Sequence, residues 1–268
     1  MMMRISKVVV VFVSAVVLSV MYGCDTRDIG KSDMIRPRNC VFNAMPVSIN
    51  TSDGVILAGR YFRVKDGTNK VVIMLHGLGS DKNEWLSFAS TSAAAGYDVL
   101  IYDLRGHGES VKSLDGKKVD YRTYTSAGAG SEWAKMVDDL NAVVKYVVEQ
   151  KGVSEHNIIL CGASIGANIC LNTAAVNKNI DALILLSPGM VYAGIECSTP
   201  AMIYGKRQVF IGVSQTDNYS YGSSNEIKSI FENNSSRVTL DVQPSGHGVQ
   251  MFEHTGFMLN ILKWLGKL

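Results

Sequence analysis

Residues 158–166 read Ile-Ile-Leu-Cys-Gly-Ala-Ser-Ile-Gly, an apolar run that leads into a Gly-x-Ser-x-Gly pentapeptide. An apolar strand followed by such a pentapeptide and then by a helix is the layout of a nucleophile elbow. In that layout Ser164 occupies a tight turn with its hydroxyl exposed, and the small flanking residues let the strand and the helix approach closely. The competing interpretation is that Ser164 is an ordinary helix N-cap. The stretch therefore makes Ser164 a candidate nucleophile between a strand and a helix.

Strand and helix patterns alternate along the rest of the chain. Short apolar runs predict strands at residues 71–75, 98–102, 157–161, 182–186, 209–213 and 238–242. Helical spacing and end signals predict helices at residues 82–95, 133–148, 164–175, 223–233 and 250–264. The helix at 223–233 is predicted to open on a capping box formed by Ser223 and Glu226. This alternation indicates an α/β fold with a mostly parallel sheet and helices on both faces.

An antiparallel hairpin is predicted before the first buried strand. Two extended runs at residues 45–51 and 55–64 are joined by Asp53-Gly54, which is a strong turn signal. We expect one domain over residues 45–268, because no repeat or linker divides this part of the sequence. Residues 188–208 can hold at most a loop and a short helix, so we expect a minimal cap or none, and an open site.

The first residues have the order of an export signal. Arg4 and Lys7 precede an uncharged apolar segment at residues 8–22, which is shorter than the ~20 residues of a membrane-spanning helix. Gly23-Cys24 resembles a bacterial lipobox, in which the cysteine is lipidated. We expect a signal peptide at residues 1–23, a polar tether at 24–44 and a membrane-anchored lipoprotein of the bacterial cell envelope. An ordinary cleaved signal, giving a secreted or periplasmic protein, and an uncleaved anchor are the alternatives.

Composition excludes several classes of partner. The formal net charge is +2 and charged residues make up 19% of the chain, so no large basic field is available for nucleic acid. Cysteine and histidine show no metal-ligand spacing, and nothing in the sequence requires a metal or an organic cofactor. Export would permit disulfides, and a bridge between Cys40 and Cys197 is left open.

Polar residues follow several of the predicted strands. His76-Gly77-Leu78 follows the strand at 71–75, Asp217 follows that at 209–213, and His247 follows the last strand. In mostly parallel sheets, catalytic groups gather at the carboxyl ends of the strands. Ser164 needs an acceptor for its proton, and His247 is the candidate base because of its place after the last strand. Asp217 is the candidate for holding the second ring nitrogen, with Asp241 as its rival.

Four motifs together resemble the α/β-hydrolase superfamily over residues 45–268, closest to its small serine esterases and dienelactone-hydrolase-like members. They are His76-Gly77-Leu78-Gly79, the segment from Tyr102 to Ser110, Gly162-Ala163-Ser164-Ile165-Gly166, and Ser245-Gly246-His247-Gly248. The resemblance implies the order Ser164, Asp217, His247 for a catalytic triad. It also implies an oxyanion hole made by the backbone N–H groups of Leu78 and Ile165. In relatives the position of His76 shapes the oxyanion loop.

The sequence thus predicts a serine hydrolase that cleaves a small-molecule ester or thioester through an acyl-enzyme intermediate. Cleavage of a peptide or amide by the same fold is one alternative. The other is a hydrolase-like binding protein at the membrane that has no catalytic activity, since fold alone does not fix function. Oligomeric state and the identity of the ester are left open.

Overall fold

A computed structural model describes residues 42–268 of the chain. The strands of the main sheet are β1 (Phe42–Asn50), β2 (Val55–Val64), β3 (Val71–Leu75), β4 (Asp98–Tyr102), β5 (Lys112–Ser113), β6 (Ile158–Ala163), β7 (Ala182–Leu186), β10 (Gln208–Ser214) and β11 (Arg237–Gln243). A separate hairpin consists of β8 (Val191–Tyr192) and β9 (Ile195–Glu196). The helices are α1 (Leu86–Ala94), α2 (Lys135–Lys151), α3 (Ile165–Val176), α4 (Ser198–Tyr204), α5 (Asn218–Asn233) and α6 (Phe257–Leu265).

The main sheet has the mixed topology that the sequence predicts. Its strand order is β1-β2-β4-β3-β6-β7-β10-β11, and β5 pairs with β2 outside this path. The pairs β1–β2 and β2–β4 are antiparallel, whereas every pair from β4 to β11 along the path is parallel. The antiparallel hairpin therefore extends a parallel sheet at one edge. The predicted α/β-hydrolase fold class is confirmed.

Helices cover both faces of the sheet, as the apolar strands require. Successive side chains of a strand point to opposite faces, so Ile73 of β3 joins one core cluster while Val72 and Met74 join the other. The first cluster includes the apolar faces of α2, α3 and α5, and the second includes those of α1 and α6. Strands β3, β4, β6 and β7 are buried along their whole length for this reason.

The start of α5 differs from the prediction. The helix begins at Asn218, and its N-cap is Asp217, whose carboxylate accepts a hydrogen bond from the Ser220 N–H at 3.3 Å. Ser223 lies inside the helix and is buried. The predicted capping box of Ser223 and Glu226 is therefore wrong, because an acidic cap six residues before Ser223 already satisfies the first turn.

The last predicted helix is divided in two. A 3₁₀ turn covers Gly248–Glu253, and α6 begins only at Phe257. Gly256 separates them with a φ of 91°, a conformation that glycine adopts without steric cost. The predicted helix at 82–95 also opens with a 3₁₀ turn, Lys82–Trp85, before α1. Smaller differences concern strand ends, since β1 begins at Phe42 rather than at residue 45.

The segment between β7 and β10 is small, as expected. It holds only the β8–β9 hairpin and the seven-residue helix α4. The predicted signal peptide, the lipidation site Cys24, and Cys40 with its bridge to Cys197 fall outside the described residues. Among residues 42–268, no helix combines the length and apolar character needed to cross a membrane.

Candidate active site

Ser164 lies on a strained turn between β6 and α3. Its backbone has φ 55° and ψ −122°, a conformation that residues with a side chain rarely adopt. The two flanking glycines make the turn possible. A Cβ at Gly162 would lie 2.2 Å from the Gly166 carbonyl oxygen, and one at Gly166 would lie 2.5 Å from the Leu75 carbonyl oxygen. The pentapeptide therefore forms the strand–turn–helix geometry of a nucleophile elbow.

Two loops from neighbouring strands reach Ser164. A Cβ built on Gly77, after β3, would lie 3.5 Å from the Ser164 Cβ. One built on Gly248, after β11, would lie 3.1 Å from the Ala163 Cβ. The Gly248 N–H also donates to the Ser187 hydroxyl at 2.9 Å, which holds the β11 loop against the end of β7. The candidate residues thus meet at the carboxyl edge of the sheet, where the sequence places them.

Asp217 and His247 form a direct pair. The His247 Nδ1 lies 2.5 Å from the Asp217 Oδ2, although 30 residues separate them in the chain. Burial raises the pKa of Asp217, but hydrogen bonds from His247 and Ser220 outweigh it, and the pKa is lowered. A carboxylate at Nδ1 fixes the ring orientation and leaves Nε2 as the basic nitrogen. Because the pKa of Asp217 is lowered, this carboxyl group stays ionised at neutral pH.

The rival acid, Asp241, has other partners. Its carboxylate accepts hydrogen bonds from the Gln243 side chain at 2.5 Å and from the Asn260 side chain at 2.9 Å. It therefore makes no pair with His247. In the part of the chain that the structure describes, no hydrogen bond joins the Ser164 hydroxyl to the His247 ring. Catalytic hydrogen bonds are often long without substrate and shorten when it binds.

The two candidate oxyanion donors are unused. Within residues 42–268, the N–H groups of Leu78 and Ile165 donate to no acceptor. The neighbouring Gly77 N–H is occupied, because it donates to the Glu84 Oε1 at 2.9 Å. Burial raises the pKa of the Glu84 carboxyl group. The Leu78 N–H, at the surface of the loop, and the Ile165 N–H, at the start of a helix, are thus free for a developing negative charge.

His76 fixes the candidate oxyanion loop, residues 76–79, through both of its ring nitrogens. Its Nε2 accepts a hydrogen bond from the Leu104 N–H at 2.9 Å, so Nδ1 carries the proton and donates to the Gly77 carbonyl oxygen at 2.7 Å. Burial lowers the pKa of His76 to about 4. A fully buried, neutral ring with both nitrogens occupied acts as a structural group. This agrees with the role that the resemblance implies.

The charged residues after β4 also hold loops together. Asp103 accepts from the Lys82 backbone and ammonium, each at 2.7 Å, and so ties this loop to the turn before α1. Arg105, which is buried, pairs with Asp139 of α2 and with Asp53 of the β1–β2 turn. Such charge-assisted hydrogen bonds fix the surroundings of the site without touching Ser164.

Surface hollows lie elsewhere on the molecule. One is lined by Asp98 and Asn157, which stand at the starts of β4 and β6, and another by residues of β1 and β2. The starts of parallel strands are at the opposite edge of the sheet from Ser164. Among the described residues, no group of three or more His, Cys, Asp or Glu side chains could hold a metal ion.

Three supporting residues were not identified from the sequence. Glu84 contacts Gly77, seven residues earlier, and Ser220 contacts Asp217, three residues earlier, but no sequence motif marks either of them. Asn168 had a signal, because it is a polar residue one turn after Ser164 in a mainly apolar helix. It is fully buried and makes three hydrogen bonds with Gly189 and Ile195.

Comparison with known proteins identifies the family. The Hydrolase_4 family, described as serine aminopeptidase, S33, matches residues 66–240. A curated relative is a multifunctional-autoprocessing repeats-in-toxin protein of Vibrio cholerae, 32% identical over 147 residues. That alignment covers 52% of this chain and only 3% of the toxin, so the chain spans a small part of the length of this relative.

Solved structures show the same fold at low identity. The esterase Pf2001 of Pyrococcus furiosus is 22% identical, with a TM-score of 0.66, and the match covers 90% of this chain and 96% of the esterase. A dienelactone hydrolase of Anabaena variabilis is 16% identical, with a TM-score of 0.62, and the match covers 84% and 96% of the two chains. These likenesses concern the fold.

Proposed function

This chain belongs to the Hydrolase_4 family of α/β-hydrolases, and on that premise we propose that it is a serine hydrolase that cleaves small esters or thioesters. One observation carries the proposal. The His247 Nδ1 and the Asp217 Oδ2 form a hydrogen bond of 2.5 Å, and both residues lie on loops that border the strained turn of Ser164. An activated serine needs a base that a third group orients. The same-fold esterase and dienelactone hydrolase support this chemistry by analogy.

The reaction proceeds in two halves. The Ser164 Oγ attacks the carbonyl carbon while its proton passes to the His247 Nε2, and the new negative charge lies at the N–H groups of Leu78 and Ile165. The carbonyl re-forms as the bond to the leaving oxygen breaks, and His247 gives that oxygen the proton. Water then attacks the acyl carbon, loses a proton to the Nε2, and releases Ser164 when the proton returns to Oγ. Asp217 stabilises the imidazolium in both halves.

Esters are favoured over aminoacyl amides. An aminopeptidase has to bind the charged amino terminus of its substrate, and an acidic side chain is the usual partner for such a group. Glu84, an acidic residue beside the oxyanion loop, already accepts the Gly77 N–H and is partly buried. Asp217 is engaged by His247. These two carboxylates therefore have roles that leave them unsuited to an ammonium group.

Steady-state hydrolysis tests the proposal. Wild type, Ser164→Ala and Ser229→Ala are compared on p-nitrophenyl acetate and butyrate and on aminoacyl p-nitroanilides. Ser229 is exposed on α5 and makes a matched serine control. We expect ester turnover by wild type and Ser229→Ala, and a loss of roughly 10³-fold or more in Ser164→Ala. Faster turnover of the anilides would favour the peptidase. A folded wild-type chain with no turnover would favour the non-catalytic binding protein.

We also propose that Cys24 is lipidated and that the chain is anchored at the bacterial cell envelope. The support is the sequence alone, through the apolar leader and the Gly23-Cys24 pair. In a bacterial host, labelling with an alkyne fatty acid is expected to mark the wild type and Cys40→Ala but not Cys24→Ala. Equal labelling of Cys24→Ala, or none of any variant, would contradict this.

A further inference from the structure

The β8–β9 hairpin stands beside the site and is fixed to the helix that carries the nucleophile. Asn168 lies on α3, one turn after Ser164, and is fully buried. Its side-chain amide donates to the carbonyl oxygens of Gly189 at 2.9 Å and Ile195 at 2.8 Å, and its oxygen accepts from the Gly189 N–H at 3.2 Å. The Asn168 side chain therefore binds the backbone just before β8 and at the start of β9.

Two further contacts hold the hairpin from other sides. The Tyr219 hydroxyl of α5 donates to the Val191 carbonyl at 2.9 Å and accepts from the Val191 N–H at 3.1 Å. At the hairpin turn, a Cβ on Gly194 would lie only 2.5 Å from the Gly128 nitrogen. Since α3, α5 and the loop before α2 all contact the hairpin, it forms a fixed wall.

Tyr192 is the side chain that this wall presents to the site. Its hydroxyl bonds to the Ser220 hydroxyl at 2.9 Å, one turn after the N-cap Asp217. Its ring packs edge-on against Tyr219, with centroids 5.6 Å apart, and covers Gly189, where a Cβ would lie 2.6 Å from the ring. The phenol thus has a set position between α5 and the base of the hairpin.

The Tyr192 phenol also lies next to the nucleophile. The Tyr192 hydroxyl makes its hydrogen bond with Ser220, whose N–H donates to Asp217, so the phenol lies beside the Asp217–His247 pair. Burial raises the pKa of the phenol, and the nearby Ser220 and Ser164 hydroxyls lower it. Ser164 is only 8% exposed even though residues 188–208 contain no large cap. Without a large cap, the side chains around Ser164 determine how much room an acyl group has.

We propose that Tyr192 sets the size of the acyl group that the site accepts, an inference that rests on the proposed function. Around the reacting carbon, the carbonyl oxygen faces Leu78 and Ile165, and the leaving oxygen has to face His247 to receive its proton. The remaining substituent is the acyl chain. It extends towards the wall, where the ring of Tyr192 stops it after a few carbons. The expected substrates are esters of short acyl groups.

A ladder of p-nitrophenyl acetate, butyrate and octanoate tests the proposal, because the leaving group is constant. The chains are wild type, Tyr192→Phe, Tyr192→Ala and Tyr146→Ala, the last removing a half-buried tyrosine of α2 outside the site. The measured quantity is the octanoate-to-acetate ratio of kcat/KM. We expect Tyr192→Ala to raise this ratio at least about tenfold, since even one methylene in an apolar pocket changes kcat/KM by about that factor. Tyr192→Phe keeps the ring, so it and Tyr146→Ala should stay near the wild-type ratio.

An equal fall for all three esters in Tyr192→Ala would mean a merely structural role and would overturn the proposal. An equally changed ratio in Tyr192→Phe would overturn it as well, because the hydroxyl and not the ring would then be responsible. If the alanine variant does not fold, Tyr192→Leu replaces it. This variant keeps an apolar side chain on Gly189 but is smaller than tyrosine, so the octanoate-to-acetate ratio of kcat/KM should again rise. If the wild type hydrolyses none of the esters, the proposed function itself is contradicted. If the wild type is active but the ratio of kcat/KM is unaltered in Tyr192→Ala, only this inference is contradicted.

Discussion

The two carboxylate oxygens of Asp217 bind two different groups, the ring of His247 and the first turn of α5. One oxygen accepts from His247, and the other accepts from the Ser220 N–H in the first turn of α5. The helix therefore fixes the carboxylate, and the carboxylate fixes the imidazole. Because the pKa of Asp217 is lowered, the carboxylate remains charged well below neutral pH. A charged carboxylate at this position is what the proposed mechanism requires beside a protonated His247.

Asp217→Asn tests this role, with Asp241→Asn as the matched control. An amide in place of the carboxylate favours the wrong tautomer of His247, so we expect kcat on p-nitrophenyl butyrate to fall about 10⁴-fold. Among the described residues, the Asp241 carboxylate accepts hydrogen bonds from Gln243 and Asn260 only, so its variant should keep kcat within about twofold. Similar losses in both variants would contradict the assignment of the acid.

We expect Glu84 to position the loop that carries the proposed oxyanion donor Leu78. Its carboxylate accepts the Gly77 N–H, whereas the next N–H, that of Leu78, has no backbone acceptor among the described residues. We expect Glu84→Ala to lower kcat by about tenfold to a hundredfold with little change in KM, since a misplaced donor is lost mainly in the transition state. Glu84→Gln keeps an acceptor oxygen and should retain most of the activity. Equal losses in the two variants would show that the charge matters, not the hydrogen bond.

Which residues could be found from the sequence depends on whether a motif carries them. Ser164 is marked by its glycines, and His247 by its glycines and its place after the last strand. Asp217 and Asp241 were both candidates, and only the strand direction and cap geometry of the fold separate them. Glu84 meets Gly77 through a turn whose path no pattern indicates. Contacts of this kind depend on how the folded chain packs, and the residue types alone do not predict them.

At the element scale, the close crossing of α3 over β3 and β6 presents Ser164. Gly166→Ala tests this contact, because its Cβ would meet the Leu75 carbonyl oxygen at 2.5 Å and that backbone cannot easily move. We expect the free energy of unfolding in urea to fall by about 1–3 kcal/mol. The rate of ester hydrolysis should fall too, as the turn shifts.

Gly222→Ala is the control for that variant. Gly222 lies in α5 with open space where a Cβ would be. Alanine in a helix interior is more favourable than glycine by about 0.5–1 kcal/mol, so this variant should be slightly stabilised. Loss of stability in Gly222→Ala, or none in Gly166→Ala, would contradict the packing described for α3.

Element boundaries show where sequence patterns succeed and fail. The strands at 71–75, 98–102 and 182–186 match the structure because a doubly covered strand must be apolar throughout. The start of α5 was misplaced because Ser223 and Asp217 are both acceptable caps, and tertiary structure selects the one that also holds His247. The break before α6 depends on Gly256, a single glycine inside an otherwise helical pattern.

For the whole molecule, buried neutral histidines make the free energy of unfolding depend on pH. The pKa of His76 is lowered to about 4 by burial, and that of the neighbouring His107 is lowered as well. Between pH 6.5 and about 4 the unfolded chain therefore binds more protons than the folded one. The stability contributed by neutral His76 is complete above pH 6.5 and is lost as pH falls. The loss amounts to about 3 kcal/mol at pH 4.

Urea unfolding at pH 7, 5.5 and 4 measures this loss. His76→Gln has no titrating ring, so its free energy of unfolding should be lower than that of wild type at pH 7 and should decline less between pH 7 and 4. The exposed His156→Gln serves as the control and should follow the wild-type slope. A wild-type slope in His76→Gln would contradict the assignment of a neutral structural ring.

We propose that folding makes Ser164 the nucleophile, and covalent labelling of this serine is the decisive experiment. Wild type, Ser164→Ala and Ser229→Ala are treated with a fluorophosphonate, and intact and peptide masses are recorded. We expect one phosphonyl group on the peptide containing Ser164 in wild type and Ser229→Ala, and none in Ser164→Ala. An adduct on another residue, or equal modification of folded Ser164→Ala, would contradict it.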